Sequence, residues 1–230
     1  MRKPTLGVRL LGVGWLFFLA SSSGASTMGF TRHFHFPPGT EPNLHWISLP
    51  WSYQPEDVGT LGALDAEDLC EDLGEAGSIA SILRWDEPTS TFIEYPCGTE
   101  NPFLLNQAEG YGVRGSPGQT VQGFVVGVHE DSFAYSISPS GGSQLSWLSI
   151  PYHMKVPEKH GDLTINAEDL CRQIGLAEVL AIVRWDDAAD VFESYACGSE
   201  LETPFEILRG ESYGVVNRSG QTIQWHPIHY

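Results

Sequence analysis

The residues of this chain with the clearest chemical potential come in matched sets, 100 to 102 positions apart. Arg84-Trp85-Asp86 is answered by Arg184-Trp185-Asp186. An indole beside a guanidinium can stack on a sugar ring or grip a peptide while its charged neighbours bond the polar edge. Trp85, Trp185, Arg84 and Arg184 are therefore candidate ligand-binding residues. Trp46 and Trp147, each followed by an aliphatic residue and a serine, are candidates on the same ground. Against this stands core packing, since Trp85 falls on the same strand face as Leu83. His33 and His35 share one face of an alternating segment, the spacing at which a strand offers two imidazoles to a divalent metal. His226 and His229 form a second, weaker pair, and solvated neutral histidines are the simpler reading of both. H-E-x-x-H, Walker and EF-hand spacings are all missing from the sequence. The expectation is a non-enzymatic chain with no catalytic residues and no cofactor.

What positions these residues is a duplicated fold. Asp65-Ala66-Glu67-Asp68-Leu69-Cys70 returns as Asn166-Ala167-Glu168-Asp169-Leu170-Cys171. Trp46-Ile47-Ser48-Leu49-Pro50 returns as Trp147-Leu148-Ser149-Ile150-Pro151, and Tyr111-Gly112-Val113 as Tyr213-Gly214-Val215. The offset drifts as single-residue insertions in loops allow, and a period this long marks a repeated domain rather than a solenoid unit. Features held by both halves read as requirements of the fold. Features of one half, such as the acids Glu71, Asp72 and Glu75, are the candidates for a special role, with a solvated face as their default.

Each copy carries the same elements. His33 to Phe36 and Ala134 to Ile137 alternate as leading strands, followed by loops at Pro38-Gly39 and Ser138 to Ser143. Leu44 to Trp51 has apolar residues on both faces, which suits a strand with something packed on each side; Pro50 and Pro151 end it and its twin. Asp65 and Asn166 are natural N-caps ahead of the stripes Ala66, Leu69, Cys70, Leu73 and Ala167, Leu170, Cys171, Ile174. Gly74 and Gly175 supply left-handed stops. Hairpins follow, Ile79 to Trp85 with Thr91 to Tyr95, and Val179 to Trp185 with Val191 to Tyr195. Asp86 and Asp186 hold the turns. Short strands at Phe103 to Leu105, Tyr111 to Val113 and Thr120 to Gln122 complete the copy. The fold class is α+β: two tandem β-rich modules, each a mostly antiparallel sheet or half-open barrel with one short helix.

The N-terminus reads as an export signal. Arg2 and Lys3 precede the apolar run Leu10 to Ala20, and Ser23 and Ala25 suit a cut after Ala25. This divides the chain into a signal peptide at 1–25, module 1 at 26–129 and module 2 at 130–230, with the module boundary near His129 to Asp131. Losing Arg2, Lys3 and Arg9 leaves 9 basic against 29 acidic side chains, a net charge of −20. Such a surface disfavours nucleic acid and anionic membranes, and no later stretch is long and apolar enough to span a bilayer. Four cysteines permit three pairings. In an exported duplicate, one bond per module is favoured, Cys70–Cys97 and Cys171–Cys197. A Cys/His metal site has no C-x₂-C spacing to support it. Asn217-Arg218-Ser219 is a glycosylation sequon.

The order Trp-Ile-Ser-Leu-Pro, Ala-Glu-Asp-Leu, Arg-Trp-Asp, Phe-x-x-Tyr and Tyr-Gly-Val resembles a repeat of bacterial secreted and cell-surface proteins. Its signature is N-L-[IV]-S-[LI]-P, A-x-D-L, W-[DN], F-x-x-Y and F-x-[IL]-x-x-G-x-[GS]-Y-x-V. Phe205 to Val215 fits the last part, and the first copy departs from it at Ala108, where the signature has Gly. The resemblance implies an extracellular accessory or structural module and no catalytic residues. The function expected is a secreted structural or interaction protein of the cell envelope or extracellular space, with a protein or glycan partner at the cell surface. The alternative is a carbohydrate or other small-ligand binder that uses the repeated tryptophans.

Overall fold

The computed structural model describes residues 29–36, 43–49, 52–53, 64–74, 77–106, 108–128, 134–138, 144–150, 165–208 and 210–228, with backbone alone at 29–33, 52–53 and 124–128. The signal segment, Pro38-Gly39, the boundary at His129 to Asp131, Pro50, Trp51, Glu75, Pro151, Tyr152 and His229 lie outside the described residues.

The first module runs β1 (Gly29–Phe36), β2 (Leu44–Ser48), β3 (Ser52–Tyr53), α1 (Ala66–Asp72), β4 (Ile79–Asp86), β5 (Thr91–Pro96), β6 (Gly110–Gly115) and β7 (Val121–Val128). The second runs β8 (Tyr135–Ile137), β9 (Leu145–Ser149), β10 (Ile165–Asn166), α2 (Ala167–Ile174), β11 (Val179–Asp186), β12 (Val191–Ala196), β13 (Glu206–Ile207), β14 (Ser212–Asn217) and β15 (Ile223–Trp225). Each builds a four-stranded antiparallel sheet of one topology, β2-β6-β4-β5 and β9-β14-β11-β12. Both leading strands pair with the last strand of their module, β1 with β7 and β8 with β15. The α+β class stands as expected from the sequence, with one helix per module among the described residues.

Local chemistry explains the elements. Asp65 accepts from the amides of Glu67 and Asp68, while Asp68 reaches back to the Asp65 amide, and Asn166 with Asp169 repeats this capping box. The stripes Ala66, Leu69, Leu73 and Ala167, Leu170, Cys171 are buried against Ile82, Tyr95 and Val113, and against Ile182, Tyr195 and Val215. At the helix ends the expectation holds once. Gly175 has φ +140°, whereas Gly74 lies outside the left-handed region, and helix α1 closes on Leu73 in right-handed geometry. Gly74 is small for a different reason: a Cβ there would sit 2.1 Å from Ser78 Oγ.

The hairpins carry the disulfides. In β4 and β11 the pairing register shifts at the same place, between Ile79 and Ser81 and between Val179 and Ala181. On the other side the hairpin ladders run on, with the Ala80 and Leu180 carbonyls accepting from the amides of Cys97 and Cys197 at 3.1 and 3.0 Å. Cys70–Cys97 and Cys171–Cys197 are both bonded, so each module closes its own loop. In the turns, Asp86 accepts from the Thr89 amide and Asp186 from those of Ala188 and Ala189, the role expected of them.

Candidate functional site

The second face of each four-stranded sheet meets that of its twin. Trp46, Leu83 and Trp147 form a buried cluster, with Leu44, Trp85, Phe92, Leu145, Val183 and Trp185 packed around it. Like residues meet across this seam. The Trp46 and Trp147 rings are 4.6 Å apart, and Phe92 stacks on Phe192 at 5.9 Å. Trp85 and Trp185 each turn an edge to the phenylalanine of their own hairpin at 4.8 Å. Backbone bonds follow the same pseudo-two-fold rule, from Ser48 N–H to Gly210 O at 2.9 Å and from Ser149 N–H to Ala108 O at 2.8 Å. Ala108 and Gly210 both adopt positive φ, +67° and +81°. The alanine that departs from the repeat signature therefore sits where glycine is the unstrained choice.

The symmetry is broken at several seam residues. Trp147 Nε1 donates to Ser212 Oγ at 2.9 Å, but the residue equivalent to Ser212 is Gly110, and buried Trp46 Nε1 has no partner. A Cβ on Gly110 would lie 2.1 Å from Ser212 Cβ. A residue next to a two-fold axis faces its own copy, so only one of the pair can carry a side chain. His45 is another exception. Its ring stacks on Phe36 at 3.9 Å, and its Nδ1 meets Asp187 of the second module's hairpin turn at 2.9 Å. Sequence reasoning missed His45; the available signal was that its counterpart in the second copy is Ser146.

The candidate residues are now placed. Trp46 and Trp147, 5% and 3% exposed, are covered by protein and cannot serve as stacking platforms. Trp85 and Trp185 are half-buried in the same seam, and Trp85 Nε1 donates across it to Leu145 O at 2.7 Å. Arg84 and Arg184 lie on the opposite sheet face, over Phe103 and Phe205 at 4.8 and 4.6 Å. Arg184 is also paired with Glu193 at 2.7 Å, while Arg84 reaches the Leu104 carbonyl. These arginines cap aromatic side chains, and the fold separates them from the tryptophans beside them in sequence. His33 and His35 fall at strand registers opposite Phe124 and Gln122; the His35 side chain is exposed, as is that of His226. Among the described residues no three His, Cys, Asp or Glu side chains gather as metal ligands would.

Repeated polar residues also serve the fold. Glu67 Oε2 accepts from Tyr95 OH and the Gly98 amide at 3.0 and 2.8 Å, and Glu168 Oε2 from Tyr195 OH and the Gly198 amide at 3.1 and 2.9 Å. Each carboxylate ties its helix to the turn after the second cysteine. Tyr111 OH and Tyr213 OH accept from the amides of Asn106 and Leu208 and donate to Glu109 and Glu211. Burial pushes the Glu109 carboxyl up, opposed by Asn106 and Arg84. Burial likewise raises the hydroxyls of Tyr95, Tyr111, Tyr135, Tyr195 and Tyr213 above 10. A tyrosine with a raised folded pKa supports the fold fully below its unfolded value of about 10, and less as the pH climbs beyond it. The tyrosines' share of stability should therefore hold up to that pH and then fall, with tyrosinate absorbance rising together with unfolding. Titration of these hydroxyls near their ordinary value in the folded protein would contradict this.

Asn217, the sequon asparagine, is fully buried. Its Nδ2 donates to the carbonyls of Ile137 and Gln221 at 3.2 and 2.6 Å, and its Oδ1 accepts from the Ser219 amide and hydroxyl. The nitrogen that a glycan would occupy is a strand clamp. Asn217→Ala should lower stability by about 1–3 kcal/mol, since it strands buried partners, as measured by urea denaturation. Folded protein recovered from a glycosylating host should be unmodified at Asn217 by peptide mass mapping.

Fold and seam together define a class: a duplicated, disulfide-stapled α+β protein whose modules pack through an aromatic seam. No family model, curated protein or solved structure matches the chain.

Proposed function

We propose that the chain is an exported, non-enzymatic structural or interaction protein of the cell envelope or extracellular space, acting as one two-module body. The observation that carries this reading is the use made of the repeated residues. The tryptophans interlock the modules, the arginines cap aromatic rings, and Glu67 and Glu168 hold backbone, which leaves the shared chemistry of the two copies occupied by the fold. Two disulfides suit an oxidising compartment, and the basic-then-apolar N-terminus supplies a route to one. No helix among the described residues is long and apolar enough to cross a membrane.

Edge-strand addition is the less favoured mode of partner binding. The outer strands β5 and β12 carry Pro96, which has no amide hydrogen, and Ala196, whose N–H is covered by Glu202 Oε2 at 2.8 Å. Partners are then expected on side-chain surfaces. The test is expression of the full chain in a secreting host. The reading expects protein outside the cytosol, beginning at Ser26 with all four cysteines oxidised. Cytosolic protein with an intact N-terminus and free thiols would overturn it.

A further inference from the structure

Beside the first disulfide lies a cleft of about 450 Å³, bordered by Glu67, Glu71, Gly74, Gly77, Cys97 and Gly98. Three glycines open its walls, the disulfide and Ile79 line its floor, and two glutamates supply its charge. Acidic side chains alone would indicate only a solvated face. The second module says what belongs there, because duplication has kept the first-turn glutamate and its two contacts while changing the residue one helical turn on and shortening the loop that follows. Glu168 makes the same two Oε2 contacts as Glu67, to the tyrosine hydroxyl and to the glycine amide after the cysteine. Its other oxygen, Oε1, holds the guanidinium of Arg172 at 2.6 Å. The residue equivalent to Arg172 is Glu71. Glu67 thus keeps the geometry of a guanidinium receptor and has no guanidinium of its own.

We infer that the Glu67–Glu71 cleft of the first module binds a guanidinium group from outside the chain, where the second module supplies Arg172. The like charge at Glu71 turns an internal pair into an open site. With Glu67 Oε2 already accepting from Tyr95 and Gly98, Oε1 is left for one charge-assisted N–H donor, as Glu168 Oε1 takes Arg172 Nη2. The acidic chain draws cations toward it, and salt weakens that attraction. This inference is independent of the export reading: a cytosolic chain would keep the cleft, and an empty cleft would leave secretion and seam untouched.

The test uses the full mature chain, labelled with nitrogen-15, and follows the amides of Gly77 and Gly98. Agmatine is the minimal guanidinium and N-acetyl-Gly-Arg-Gly-amide the polypeptide source; the norleucine analogue of that peptide is the uncharged control. Saturable shifts with a guanidinium probe, weakened by salt and missing with norleucine, are expected. Tighter binding of the peptide than of agmatine would assign a protein partner, and the reverse a small free guanidine. Glu71→Arg should abolish the response, and the milder Glu71→Gln should weaken it. Arg172→Glu should add a new response at Gly198. Equal shifts with norleucine, full binding by Glu71→Arg or Glu71→Gln, or no response at Gly198 in a folded Arg172→Glu variant would each overturn the assignment.

Discussion

Replacing Trp147 with alanine is expected to lower stability by about 3–5 kcal/mol, the range for removing a large buried aromatic side chain. The ring is 3% exposed, packs on Trp46 at 4.6 Å and on Phe192 at 5.6 Å, and bonds Ser212 through Nε1. Its loss opens a cavity between two sheets, and neither can collapse into it without dragging its own core. Trp46→Ala should cost somewhat less, because the Trp46 Nε1 is buried without a partner and its removal relieves that desolvation. Trp85→Ala, at the half-buried margin, should cost less again. Urea denaturation provides the comparison. A loss of less than about 1 kcal/mol at Trp147, as expected for an exposed residue, would mean the modules do not depend on each other.

The second large effect belongs to the disulfides. Cys70 and Cys97 are 27 residues apart, Cys171 and Cys197 26 apart. Closing loops of this size is worth roughly 3.5 kcal/mol each in the chain-entropy model, a large share of the 5–15 kcal/mol typical of a folded domain. Cys70→Ser with Cys97→Ser should therefore lower the denaturation midpoint sharply, and the pair in the second module by a similar amount. Removing one bond should weaken both modules, since the seam couples them. If only the altered half loses amide protection in hydrogen exchange, the coupling is absent.

Much of this architecture could be read from residue order because it is local. The capping boxes at Asp65 and Asn166, the apolar stripes behind them, the hairpin turns at Asp86 and Asp186 and the within-module disulfides each lie within a few dozen residues. The two-sided apolar pattern of Leu44 to Trp51 signalled that something packs on each face of β2. It did not say that the second face meets the twin module, because pairing between distant segments leaves no periodicity in either. His45 and Asp187 are 142 residues apart. Gly74 looked like a left-handed stop, yet its smallness answers to Ser78 across the turn. Trp85 and Arg84 suggested one site because they are adjacent, whereas neighbours in a strand point to opposite faces. The contrast between Gly110 and Ser212 was visible as a difference, and its meaning required the axis between them.

That contrast gives the most direct test of the pseudo-symmetric seam. Gly110→Ser alone should lower stability by about 1–3 kcal/mol from overpacking against Ser212. Ser212→Gly alone leaves both central indole N–H groups unbonded and should cost about 1 kcal/mol. The exchange, Gly110→Ser with Ser212→Gly, removes the clash with Ser212 and places the hydroxyl to accept from Trp46 Nε1; with Trp147 Cδ1 still 2.7 Å from the new Cβ, it should recover most but not all of the stability lost by Gly110→Ser. Equilibrium unfolding of the four proteins decides it. Recovery in the double variant is the predicted result, and losses that simply add would contradict the seam.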